Sequence, residues 1–197
     1  MVYMASTSHS LLEQLQTGPQ GLAWERFHVI YEPLIHNWLR SRKLIATDRD
    51  DITQNVLIVV VQKLPEFHHN GQTGAFRKWL KCISINCMRD YWKKQKQHPQ
   101  QAAAHGTLDD WADDKSELSQ LWGREHNQQV IQKLLVMLQP EFNPATWQAF
   151  EGVTLRQRPV DELATELGIS PNAIYIARSR VLSRLRQEAQ GLVDEAL

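Results

Sequence analysis

Apolar residues along this chain recur at intervals of three and four, the spacing of helices buried on one face. Trp24, Phe27, Ile30, Tyr31, Leu34, Ile35, Trp38 and Leu39 form the longest such stripe. Pro33 falls inside it and predicts a kink or a local loss of hydrogen bonding. Upstream, Ser10 to Gln16 reads as a short helix, broken by Thr17-Gly-Pro-Gln-Gly21. Downstream, a helix capped by Thr47, Asp48 or Asp50 runs to about Leu64, where Pro65 stops it. A loop with two glycines, Phe67 to Gly74, precedes a third long helix from about Ala75 to Gln97, with Trp79, Leu80, Ile83, Cys87 and Tyr91 on one face. Strand alternation and hairpin dipeptides are missing, so the predicted class is all-α.

His98-Pro99 opens a polar, weakly periodic stretch. Residues 98–126 read as a flexible acidic linker, with a short helix near Ser116 to Trp122 as an open variant. A second helical unit begins near Asn127, carries Val130, Leu134, Leu135 and Leu138 inward, and ends at Pro140. Pro144 to about Val153 gives another helix, with Trp147 and Phe150 inward. The predicted architecture is two small helical domains, 1–97 and 127–197, joined by that linker.

The most informative local pattern is at the end. A short apolar helix closes at Gly168, which can take the left-handed conformation of a helix end. Ser170 can cap the next helix, with Pro171 at its first position, where a missing N–H costs nothing. Ala164 is small enough for the two helices to cross closely, and Ile174, Ala177, Val181 and Leu185 form a buried stripe. This is a helix-turn-helix. Ser170, Asn172, Tyr175, Arg178, Ser179, Arg180 and Arg184 fall largely outside the stripe and carry groups suited to base edges and phosphates. An ordinary hairpin with a basic surface is the competing reading. The turn chemistry, and the absence of any acid from Ser170 to Gln187, weigh against it.

Charge sharpens this picture. The formal net charge of zero argues against a protein that simply coats a polyanion, but the charges are unevenly placed. Arg77, Lys78, Lys81, Arg89, Lys93, Lys94 and Lys96 face a single acid, Asp90, whereas Asp109, Asp110, Asp113, Asp114, Glu117 and Glu125 follow. Two cysteines, Cys82 and Cys87, point about 140° apart on a helix, so neither a disulfide nor a shared metal is natural. Two small buried thiols in a reducing cytosol are expected. There is no secretory signal, and no apolar run approaches a membrane span. No nucleophile–base pair, metal spacing or phosphate loop appears, so neither enzymatic activity nor a cofactor is expected. His68-His69 reads as loop rather than ligand.

Asp50-Asp-Ile-Thr-Gln54, then the glycine loop, then Phe76-Arg-Lys-Trp-Leu80 with Asn86 and Asp90 behind it, form an ordered set. In order and spacing the set resembles the extracytoplasmic-function (ECF) class of bacterial sigma factors, of the sigma-70 superfamily. The terminal helix-turn-helix is similar to that family's −35 reading domain, and the resemblance covers about residues 20–97 and 127–190. It implies a cytoplasmic protein that binds core RNA polymerase through its β and β′ subunits, reads promoter DNA and promotes its melting. An anti-sigma factor is a further partner to look for. Asp50, Asp51 and Gln54 would dock on the polymerase; Asp50 also reads as a plain helix cap. Asn70 and Gln72 in the loop would bond a flipped −10 base.

Arg77, Lys78, Lys81, Arg89 and Lys93 would neutralise −10 phosphates, and Asn86 reads either as an edge reader or as a mid-helix residue bonding backbone or water. Trp92 reads equally as a stacking platform or as core. The linker reads equally as a solvated spacer or as a filler of polymerase channels. Pro144-Ala-Thr-Trp-Gln-Ala-Phe-Glu-Gly152 and Ala173-Ile-Tyr-Ile-Ala-Arg-Ser-Arg180 depart from the usual family pattern, so the −35 preference cannot be borrowed. A stand-alone helix-turn-helix regulator is the alternative.

Overall fold

The computed structural model describes residues 10–17, 21–40, 44–70, 74–95 and 117–193; most of the expected linker lies outside them. Among these residues there is no strand. The elements are α1 (Leu11–Gln16), α2 (Leu22–Arg40), α3 (Ala46–Lys63), α4 (Ala75–Gln95), α5 (Glu117–Leu138), α6 (Pro144–Phe150), α7 (Val160–Leu167) and α8 (Pro171–Ala189).

Local chemistry explains most of the boundaries. Ser10 and Glu13 form a reciprocal capping box on α1, each side chain accepting from the other's backbone N–H at 3.3 and 3.0 Å. Pro33 does not break α2, which continues through it; the freed carbonyl would be that of Val29, on the exposed side. α3 starts at Ala46, earlier than the polar residues predicted to cap it, so Asp48 sits in the first turn, where the helix dipole favours a carboxylate. Pro65 ends it in a single 3-10 turn, Leu64–Glu66. α6 runs into a π-turn, Glu151–Leu155, closed by Arg156 N–H bonding to Glu151 O at 3.0 Å.

α5 departs most from expectation. It begins at Glu117, ten residues before the predicted start, inside the stretch read as tether. Its N-terminal half packs on α2. Trp122, 2 % exposed, meets Trp38 edge-on with ring centroids 5.2 Å apart. One turn on, His126 is fully buried, with Nε2 3.4 Å from the Tyr31 hydroxyl and Nδ1 3.2 Å from Asn127 Oδ1. Gln129 donates to the Ile30 carbonyl at 3.4 Å. The C-terminal half of α5 packs on α8.

One apolar core therefore runs from α1 through α5 and takes in Leu185, Ala189 and Leu192 at the far end of the chain. Two smaller cores hold the last helices together: Ala149, Leu163, Ala164, Ile174 and Ala177, and beside them Trp147, Phe150 and Val181. A buried carboxylate also joins the first helices to the last. Glu188 is fully buried, 3.3 Å from the Arg26 guanidinium of α2, and it accepts a hydrogen bond from Arg184.

Two consequences are measurable. Gly152 packs so tightly that a Cβ there would lie 2.6 Å from Leu163 Cδ2. Gly152→Ala should cost about 1–3 kcal/mol of stability through overpacking, read as a lower denaturant midpoint. His126 is the second. Burial pushes its pKa down from 6.5 to about 4, helped by the nearby Arg77 charge and opposed by the bond to Asn127. The unfolded chain takes up this proton first. The contribution is therefore complete above pH 6.5, falls as pH drops towards 4 and levels off below, a loss of about 3 kcal/mol. Unfolding curves of the wild type and His126→Gln between pH 7 and 4 should converge in their pH dependence only if another group is responsible; a steeper wild-type slope is expected.

Candidate polymerase and nucleic-acid interfaces

Three surfaces carry the residues singled out by the sequence. The first is the outer face of α3. Asp51 and Gln54 are both exposed and share that face, three residues apart. Asp50 points elsewhere, its carboxylate 3.1 Å from His36 Nε2 of α2. Ile58, one turn beyond Gln54, is 53 % exposed on the same face and escaped the sequence reading. The signal was present. Six consecutive apolar residues, Val56 to Val61, cannot all point inward from one helix, so at least one must be left for solvent or a partner.

The second surface is α4. At about 100° per residue, Lys78, Cys82, Asn86, Arg89 and Lys93 fall within an arc of about 80°, and all are exposed. This stripe brings together four of the nine residues expected at the −10 element. Asn86 directs its amide at Cys82 Sγ, 3.7 Å away. Cys82 is thus exposed, not buried as expected, while Cys87 is half-buried and its thiol pKa is raised by burial and by Asp90.

The rest of α4 is enclosed over more than half its circumference, from Phe76 and Ile83 round through Met88 to Trp92. Lys81, 5 % exposed, and Trp92, 7 % exposed, lie in this covered arc and do not present themselves to a nucleic acid in this conformation. Of the face read from the sequence, Leu80 and Ile83 are buried, whereas Trp79, Cys87 and Tyr91 are only half-buried. Arg77 turns towards α5. Its Nη1 donates to Asn127 Oδ1 at 3.3 Å, and its guanidinium lies over Gly123, where a Cβ would sit 3.2 Å from Cζ. Asn70 is exposed at the end of the described part of the loop, and Gln72 lies outside the described residues.

The third surface is α8 with the turn before it. Gly168 is left-handed at φ 65°, and its N–H and that of Ile169 close α7 onto Ala164 and Thr165. Ser170 caps α8 by accepting from Ala173 N–H at 3.2 Å, with Pro171 at the first position. Ala164 is buried at the crossing. Ser170, Asn172, Tyr175, Arg178, Ser179 and Arg180 are all exposed. Arg184 is not available in the same way. It bonds Glu141 at 2.8 and 3.2 Å and reaches back to Glu188. Burial works against its charge, but these hydrogen bonds outweigh it and hold its pKa above the ordinary arginine value.

Among the described residues no cluster of histidine, cysteine and carboxylate side chains could hold a metal ion, and no helix is long and apolar enough to cross a membrane. Comparison with known proteins adds one positive finding. Residues 29–98 match the family model of sigma-70 region 2. No curated protein matches the sequence. The matched segment runs from the middle of α2 to just past α4 and so contains both the Asp51/Gln54 face and the basic stripe. Region 2 supports a sigma-factor role in binding RNA polymerase and melting promoter DNA. That segment is built into two of the three candidate surfaces, and over it the chain is similar to region 2 of the sigma-70 superfamily.

Proposed function

We propose that this chain is a sigma factor of the ECF type, reading both promoter elements for core RNA polymerase in the bacterial cytoplasm, with no enzymatic activity of its own. The observation that carries the proposal is the pairing of region 2 with a second, C-terminal reader. In that reader α8 presents polar and cationic side chains on a surface without an acid from Ser170 to Gln187. Among the described residues neither Arg178 nor Arg180 has an ion-pair partner, which suits phosphate neutralisation. Asp51, Gln54 and Ile58 of α3 then form the polymerase-docking face. Lys78, Asn86, Arg89 and Lys93 of α4 meet the −10 DNA, and α8 reads −35 DNA from the major groove. An anti-sigma factor would have the same three surfaces to cover.

This reading requires the protein to open. Elements centred near −10 and −35 are about 25 base pairs apart, or about 85 Å at 3.4 Å per step. A compact chain of 197 residues has a radius of gyration of about 16 Å and spans about 40 Å. Packed as it is, with α5 seated on both α2 and α8, the molecule cannot touch both elements at once. Opening would also release Arg77 from Asn127 and Gly123 and return it to the α4 surface.

Mixing the purified chain with sigma-free bacterial core polymerase tests the whole reading. A tight complex and discrete new start sites on genomic DNA are expected. No complex, with duplex DNA still bound by the chain alone, would identify a stand-alone regulator. The double variant Asp51→Ala, Gln54→Ala should weaken core binding about tenfold or more while leaving helicity unchanged, since exposed interface residues act on association and not on folding. Unaltered affinity would remove α3 as the docking face. Energy transfer between labels on the α4 stripe and on the exposed face of α8 should fall when core polymerase is added; constant transfer would rule out the opening.

A further inference from the structure

The outward face of α8 holds a residue that its polar chemistry does not explain. Asn172, Ile176, Ser179 and Ser183 fall within about 60° of one another around the helix. They stand directly opposite the buried Ile174, Ala177, Val181 and Leu185. Ile176 therefore lies on the face that points away from the protein. It is 44 % exposed and belongs to none of the three apolar cores. Packing does not account for it. Helix propensity does not either, because a β-branched side chain is a poorer choice at an exposed helical site than arginine or lysine. Single exposed apolar residues are common on surfaces. This one sits in the first half of the helix, where a reader meets base edges, with exposed Asn172 one turn before it and exposed Arg180 one turn after it on the same side.

A side chain set between a hydrogen-bonding amide and a cation on an outward face suits a polar, anionic partner that offers something apolar at this one point. The major groove offers one apolar feature among the four base pairs, the C5 methyl of thymine. We infer that Ile176 is a specificity residue that reads a thymine methyl in the −35 duplex. The inference rests on the proposed −35 reading by α8 and names what that reading recognises. Asn172 and Ser179 supply hydrogen bonds to neighbouring edges, Arg178 and Arg180 hold the flanking phosphates, and Ile176 closes over the methyl and excludes water from it.

The test uses holoenzyme assembled from the full chain and core polymerase. Duplexes randomised over the −35 segment are selected for binding, and each thymine of the selected site is then replaced in turn by deoxyuridine, which removes the methyl and keeps the base pair. At one thymine the wild type should lose about fourfold in affinity, the worth of burying one methyl-sized group. Ile176→Ala should bind the thymine duplex about fourfold more weakly than wild type and show no preference for thymine over uracil. A wild type indifferent to every replacement, or an Ile176→Ala variant that keeps the full preference, would overturn the inference. The double variant Arg178→Ala, Arg180→Ala separates the two levels. If it lowers duplex affinity while the methyl comparison is flat, α8 reads DNA but Ile176 does not read thymine. If it leaves affinity unchanged, the −35 reading by α8 fails, and the inference fails with it.

Discussion

The seat of α5 on α2 organises the molecule. Trp122 against Trp38, and His126 against Tyr31, place two aromatic pairs one turn apart between the same two helices. Each ring fills volume that no aliphatic side chain would, and the hydroxyl–imidazole contact gives polar atoms a partner where water is excluded. The imidazole must be neutral to stay there, which is why burial holds its pKa near 4. A helix docked at its N-terminal half in this way carries its C-terminal half out to α8. The cores of the first and last helices then become one. Glu188 repeats the linkage in charge, meeting Arg26 from one side and Arg184 from the other.

That seat also sorts the residues proposed to face promoter DNA into those on offer and those withheld. Lys78, Asn86, Arg89 and Lys93 remain on the open side of α4, and the reading face of α8 points away from the whole assembly. Arg77 is drawn to α5, where Gly123 leaves the space its guanidinium needs. A glycine inside a helix costs about 1 kcal/mol relative to alanine, and the close approach of Arg77 is a reason for this one to be there. On the proposed reading, a chain that must span two promoter elements thus carries a packed form in which it cannot. The interface between its halves is the element that polymerase binding would act upon.

Much of this was legible in the sequence because it depends on chemistry within a few residues. The turn at Gly168 to Ser170, the short helix from Ser10, the stop at Pro65 and the common face of Asp51 and Gln54 follow from local backbone preference and helical spacing. They appear where expected. The sequence by itself therefore determined the all-α class and most of the helices.

Tertiary structure decided which residues on those helices are free to act. Helical periodicity says which residues share a face, but not how many neighbours a helix has. α4 is covered on more than half its surface, so Lys81 and Trp92 went inward while Cys82 stayed out. Arg184 looked like its neighbours Arg178 and Arg180 until Glu141, 43 residues away, was brought beside it. α5 starts ten residues before Asn127, where the short helix near Ser116 to Trp122 is an open variant, and its docking through Trp122 and His126 on α2 is what no local pattern announces. In each case the deciding partner is distant in sequence. The free energy of burial or pairing with it exceeds the few tenths of a kcal/mol that distinguish one local choice from another.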